Sequence, residues 1–192
     1  MTDTGKVFFT ADLHLWHKKM ALLRGYESVE AMTWAIVDAW NEEIFDPTFD
    51  VYLLGDVSLG NNTGTLEALE ELEGRIHLIR GNHDFSLPSR ITQRFSSIED
   101  VKLLKLPLDH ALALRGKVRL WLSHYRHVTW PESHYGSLHL HGHSHGMLQR
   151  CPDPRALDVG MDAMQGAVVS SLSDVLDKIS AQVAAANGLV QL

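Results

Sequence analysis

Five short apolar runs in this chain each lead into polar residues that a simple core would not select. The run around Val7–Phe9 leads into Ala11-Asp12-Leu13-His14, and Val51–Leu54 leads into Gly55-Asp56. Ile76–Ile79 leads into Arg80-Gly81-Asn82-His83-Asp84, and Val118–Leu122 into Ser123-His124. Ser137–Leu140 leads into His141-Gly142-His143-Ser144-His145. Short apolar runs bounded by Gly, Asp and Asn read as buried strands. In open α/β sheets, ligands gather outside the carboxyl ends of the strands. Strands that all end in Asp, His or Asn therefore predict one shared site, and a fold that brings those ends together.

The rest of the chain fits a layered α/β domain with sheets inside and helices outside. Lys6–Ala11, Val51–Leu54 and Ile76–Ile79 are predicted strands. Ser28–Ile44 is predicted as an amphipathic helix: Ser28 can cap it, and Val29, Met32, Ile36, Trp40 and Ile44 recur at helical spacing. Leu66–Leu72 is a shorter helix stopped by Gly74. The second half is strand-rich, with Val101–Leu106, His110–Leu114, Val118–Ser123, Ser137–Leu140, Ala156–Val159 and Ala167–Ser170 as candidates. Arg115-Gly116-Lys117 reads as a hairpin turn. The last helix runs from Leu172 to Ala186, with Ser171 and Asp174 at capping-box spacing and Gly188 past its end.

Composition limits the chemistry. The chain has 192 residues, 12 of them histidine, and a single cysteine, Cys151. One cysteine excludes a disulfide framework and cysteine-rich zinc modules, so a metal would be held by nitrogen and oxygen. The net charge of −7 argues against a broad nucleic-acid footprint, which needs a basic face. No apolar run approaches the length of a membrane span, and the first apolar stretch is too short for a secretory core. These features predict a cytoplasmic protein without a membrane partner.

Taken singly, each polar block has two readings. Asp12 and His14 are two apart and would point the same way on an extended chain, as two ligands of one ion; the alternative is an Asx-type turn followed by a surface histidine. Gly55-Asp56 is either a ligand-bearing strand end or a turn. Gly81 permits a tight backbone from which Asn82, His83 and Asp84 present three polar groups. His143 and His145 repeat the two-residue spacing. His17 either faces a bound ligand or is a solvated loop residue. Arg126 can fork onto a phosphate, with His127 beside it, or lie on the surface. Trp16 and Trp130 either stack on a base or close a core edge. His141 is a possible neighbour of the site, pointing with His143 and His145 by alternation; His77 and His110 read as structural.

Read in order, the blocks are Asp-x-His, Gly-Asp, Gly-Asn-His-Asp, His and Gly-His-x-His. This pattern resembles the calcineurin-like metallophosphoesterases across nearly the whole chain. The resemblance implies a four-layer α-β-β-α sandwich: two mixed sheets flanked by helices, with a dinuclear metal site at the strand C-terminal ends. It implies one domain over residues 1–192 with no cap. It also implies two divalent ions, with Mn expected and Fe, Ni, Co or Zn compatible with the donors. The first ion would be held by Asp12, His14, Asp56 and His145, the second by Asp56, Asn82, His124 and His143. His83 would assist the leaving group, and Asp84 would hold the His83 imidazole. Hydroxide bridging the two ions would attack phosphorus. His17, Arg126 and His127 are the expected substrate contacts.

Departures from the family pattern narrow the expectation. Protein phosphatases of this superfamily read Gly-Asp-x-x-Asp-Arg-Gly at the second block, whereas this chain reads Gly55-Asp56-Val57-Ser58-Leu59-Gly60. They also carry Glu where this chain has Asp84. The small bacterial and phage phosphoesterases look closest, which implies hydrolysis of small phosphodiesters, cyclic nucleotides or similar, or phosphomonoesters. The alternatives are a nuclease acting on nucleic-acid ends and a non-catalytic scaffold of the same fold.

Overall fold

The computed structural model describes residues 6–148 and 153–189; Cys151 lies outside them. The first sheet contains β1 (Val7–Thr10), β2 (Asp50–Leu53), β3 (Arg75–Ile79), β4 (Ser97–Glu99) and β9 (Ser170–Ser171). Its order is β4-β3-β2-β1-β9, with β1 to β4 parallel and β9 antiparallel to β1. The second sheet contains β5 (Val101–Pro107), β6 (Lys117–Ser123), β7 (Leu138–His141) and β8 (Ala156–Asp158). Its order is β5-β6-β7-β8, with β5 antiparallel to β6 and the rest parallel. The fold is thus α/β, two mixed sheets flanked by helices.

Period-two alternation in the first sheet divides its side chains between two cores. Phe8, Val51, Leu53, Ile76 and Leu78 pack under α2 (Val29–Glu43) and α3 (Asn62–Glu71). Val7, Phe9, Tyr52, Leu54 and Ile79 meet Val118, Leu120, Leu122, Leu138 and Leu140 of the second sheet. The helix α5 (Leu172–Leu189) adds Leu172, Val175, Leu176 and Ile179 to this second core. Strands buried on both faces need continuous apolar runs, as in Val7–Phe9 of β1 and Val51–Leu53 of β2; β3 alternates at its start, where Arg75 is exposed and His77 half-buried.

The helices follow local signals. Ser28 caps α2 by accepting the Ala31 N–H at 3.0 Å, and Met32, Ile36 and Trp40 on its inner face are fully buried. Burial of Met32 and Ile36 contributes roughly 1.5–3 kcal/mol each. Ser171 and Asp174 cap α5 reciprocally, at 3.2 Å and 3.1 Å. Among the described residues, no helix is long and apolar enough to cross a membrane.

Four expectations are corrected. His110–Leu114 is not a strand: the Leu112 and Ala113 amides bond back to His110, and β5 finds its partner in β6 directly. The hairpin turn itself is present at Arg115 and Gly116, both with positive φ. The helix expected from Leu66 begins at Asn62, because Asn61 caps it by accepting the Gly64 N–H at 3.1 Å; the Trp16 ring lies where a side chain on Gly64 would be. Ala167–Ser170 contributes only the short β9, shifted to Ser170–Ser171. Gly188 lies inside α5, not past it. The short elements α1 (Lys18–Leu23), α4 (Ser89–Thr92) and β4 carry too few residues for a periodic signal.

Candidate metal centre

The loops that follow β1 and β2 run side by side. Asp12 N–H bonds to Gly55 O at 3.0 Å, His14 N–H to Asp56 O at 3.0 Å, and Leu15 N–H to Val57 O at 2.9 Å. The backbone here is not extended, contrary to the reading from two-residue spacing. Asp12, His14, Asp56, His143 and His145 all have positive φ, between 48° and 65°. Leu13 and Leu15, between and beyond the left-handed residues, are fully buried in the core. The left-handed conformation costs a residue with a Cβ roughly 1–2 kcal/mol, so tertiary contacts hold it.

One of those contacts is the buried Asp84 carboxylate. Its oxygens accept the N–H groups of Gly81 at 2.7 Å, Asp56 at 2.8 Å and Val57 at 3.0 Å. Asp84 therefore joins the loop after β2 to the loop after β3. This corrects its expected role, because both oxygens are committed to backbone amides and neither bonds to the His83 ring. Burial pushes the Asp84 carboxyl up, against the three amides that favour its charged form. Gly142 is a close-approach position: a Cβ there would lie 2.7 Å from Asp12 Oδ2. That oxygen accepts the His143 N–H at 2.8 Å, which brings the last block against the first.

The result is three overlapping groups of candidate ligand atoms, each within 4.8 Å of one another: Asp12, His14 and His145; His14, Asp56 and His83; Asp56, His124 and His143. Asp56 faces both sides. Its Oδ2 lies 3.7 Å from His14 Nε2 and 3.8 Å from His83 Nε2, while Oδ1 lies 3.5 Å from His124 Nε2. Asn82 joins the His124 side, with Oδ1 3.1 Å from His124 Nε2. All seven expected ligands and His83 are thus brought to one place.

The electrostatics fit a divalent cation. Asp12 Oδ1 and both ring nitrogens of His14 are buried without a hydrogen-bond partner, a costly state that a bound ion would relieve at the carboxylate oxygen and at one of the two nitrogens. The His124 ring directs Nδ1 at the Leu54 carbonyl, 2.7 Å away. With Nδ1–H donated there, Nε2 meets Asn82 Oδ1 as one acceptor facing another, a pairing that a shared cation would satisfy. Burial, reinforced by the Asp158 and Asp56 carboxylates, pushes Asp12 up to about 8 despite the counteracting charge of His145. Burial, with the positive charge of His145 and Arg24, pulls His14 down to about 2, so its ring is neutral and available as a ligand. Burial and His124 likewise pull His143 down.

Several residues of the site escaped the sequence. Asp162 Oδ2 lies 2.7 Å from His145 Nδ1, and Arg24 forks onto the same carboxylate at 2.9 Å and 2.7 Å. Burial opposes ionisation of Asp162, but the bonds from His145 and Arg24 hold its carboxyl well below the usual range. Asp158 accepts from Ser144 Oγ and from the Gly146 and Gly160 amides, fixing the loop that carries His143 and His145. The Tyr125 hydroxyl donates to Asn82 Oδ1 at 3.3 Å, and its ring lies 4.5 Å from that of His143. Of these, Tyr125 alone had a local signal, as the neighbour of His124.

The expected substrate contacts divide. His17 is at the site, its ring 5.2 Å from His14 and 6.5 Å from His83. His127 is not: its Nδ1 accepts from Trp121 Nε1 at 3.2 Å, and its N–H donates to His139 Nε2 at 3.0 Å. The chain turns away after Tyr125 and lays the His127 ring against the second sheet. Arg126 lines a separate cleft with His141, Gly146 and Asp158. His141 packs against His139 instead of pointing with His143, because the left-handed His143 breaks the alternation. Trp130 is buried, with Nε1 bonded to Ser137, and closes a core edge. Trp16 packs against Gly64 of α3.

Comparison with known proteins agrees with this geometry. The sequence profile of the calcineurin-like phosphoesterases matches residues 5–147. The Gene 66 protein of Mycobacterium phage D29 is 31% identical over 188 residues, covering 82% of this chain and 88% of the phage protein. Its namesake in Mycobacterium phage L5 is 30% identical over 181 residues, covering 81% and 86%. The crystal structure of AQ665 from Aquifex aeolicus superposes with a TM-score of 0.63 at 21% identity, covering 83% of this chain and 92% of that one; at this identity the likeness concerns the fold.

Proposed function

The chain belongs to the calcineurin-like phosphoesterase family, and from that premise we propose that it hydrolyses small phosphodiesters, cyclic nucleotides or similar, or phosphomonoesters, with two divalent metal ions. The observation that carries the two-ion reading is Asp56, whose two oxygens face different histidines. In this reading Asp12, His14, Asp56 and His145 hold one ion; Asp56, Asn82, His124 and His143 hold the other. When bound, the ions supply Lewis-acid charge that acidifies water and neutralises phosphoryl oxygens. Nitrogen and oxygen donors suit Mn, with Fe, Ni, Co and Zn compatible.

The chain's own residues divide the remaining work. His83 is half-buried, and its backbone N–H is held by Asp56 Oδ1 at 3.1 Å. From there its ring can give a proton to the leaving oxygen or stabilise its charge. His17, near both His14 and His83, offers a contact for a non-bridging phosphoryl oxygen. Tyr125 steadies Asn82 through its hydroxyl. Asn82, Tyr125 and His143 are exposed, an open rim that supports small substrates over enclosed ones.

The test is hydrolysis by the purified, metal-analysed protein of p-nitrophenyl phosphate, its bis ester, 2′,3′- and 3′,5′-cyclic nucleotides and a single-stranded oligonucleotide. The expected result is metal-dependent turnover of the bis ester or a cyclic nucleotide. Preference for the oligonucleotide would make the protein a nuclease, against which its charge of −7 weighs. Inactivity with every divalent metal would favour a scaffold.

A further inference from the structure

We propose that Asp162, clamped by Arg24, is a positioning residue that sets the affinity of one metal subsite, the one formed by Asp12, His14 and His145. The inference rests on the two-ion reading above and adds to it a device built from parts of the chain 138 residues apart.

The Arg24 guanidinium, almost fully buried, holds four oxygens. It forks onto both carboxylate oxygens of Asp162 and also donates to Leu13 O at 2.8 Å and Asp12 O at 2.7 Å. One side chain thus ties the left-handed loop that carries Asp12 to the segment that carries Asp162. Asp162 in turn accepts from His145 Nδ1 at 2.7 Å. With the proton fixed on Nδ1, the lone pair of His145 lies on Nε2, the nitrogen left to join Asp12 and His14. A carboxylate behind an imidazole ligand fixes its tautomer, fixes its ring orientation and raises its basicity. The opposite side of the centre is built differently. His124 is backed there by the neutral Leu54 carbonyl, and Asn82 contributes no charge. The two subsites therefore differ in negative charge and rigidity, and Asp162 accounts for part of the difference.

The experiment measures Mn²⁺ binding by calorimetry in the wild type and in Asp162→Asn. It also follows the His145 ring of metal-free protein by long-range ¹H–¹⁵N NMR as pH is raised, and reads the tautomer once the ring has lost its charge. The wild type should bind two equivalents and show a single Nδ1–H tautomer. Asp162→Asn should weaken one equivalent by about 10–100-fold, leave the other unchanged, and give a mixture of tautomers. Unchanged affinities, or equal weakening of both equivalents, overturn the proposal. A mixed tautomer already present in the wild type also overturns it. If the wild type binds no divalent metal, the two-ion reading fails first and this inference with it. Should Asp162→Asn not fold, Asp162→Glu decides: it keeps the charge but displaces it by one methylene, and it should weaken the same equivalent alone.

Discussion

The Asp84 carboxylate accepts the backbone N–H of Asp56 at 2.8 Å, so the residue that faces both sides of the candidate metal centre is held by its main chain, from the next strand end. Asp84→Ala would strand three buried amides, those of Gly81, Asp56 and Val57, at about 1–3 kcal/mol each. Urea unfolding should show a loss of about 3 kcal/mol or more, and metal uptake should weaken with it. A residue that only oriented the His83 ring would leave stability and metal content near normal, and that result would refute the clamp.

Asp56→Asn should abolish turnover and weaken both metal equivalents, since one amide oxygen cannot serve two sides as two carboxylate oxygens can. Elemental analysis after dialysis checks this. Two tightly held ions and near-normal turnover would show that Asp56 does not bridge.

His83 also lies within ligand reach of His14 and Asp56, so its role needs a measurement that separates chemistry from coordination. His83→Ala should lower kcat by about 10²–10⁴, the usual size of a lost acid–base group, with two ions still bound. Loss of an ion would move His83 into the coordination shell.

His139 makes stability depend on pH. Its ring is fully buried; Nδ1 faces the Trp121 carbonyl at 3.2 Å and Nε2 accepts the His127 N–H at 3.0 Å. Burial pulls it from the usual 6.5 down to about 3. Above pH 6.5 both folded and unfolded chains are neutral here, so it has no effect. Between pH 6.5 and about 3 the unfolded chain binds a proton that the folded chain refuses. Stability is then lost as pH falls, by up to roughly 1.4 kcal/mol per pH unit. Denaturation of metal-free protein from pH 7 to 4 should show a shallower decline in His139→Gln; identical slopes would exclude His139 as the source.

The sequence made the strand ends legible because each block is local. A run such as Leu53-Leu54-Gly55-Asp56 announces both the strand and the ligand. It could not announce Asp162 or Arg24, whose meaning depends on a contact across 138 residues. Nor could it distinguish the two uses of Asp84, because an Asp next to a His looks the same whether it holds that ring or three amides. His127 was misplaced for a related reason: adjacency to His124 says nothing about the direction in which the chain turns after Tyr125. The two-residue spacing of Asp12 and His14 predicted convergence correctly but from the wrong backbone, since the residues are left-handed and not extended.

That left-handed backbone sets function against durability. At Asp12, His14, Asp56, His143 and His145, glycine would suit the main chain better than the residue present, because it adopts positive φ without steric penalty. Selection for stability alone would erase the proposed ligand set one position at a time. Thermostability screens run without an activity check would therefore drift toward a sturdier version of the same fold that has lost the proposed ligands.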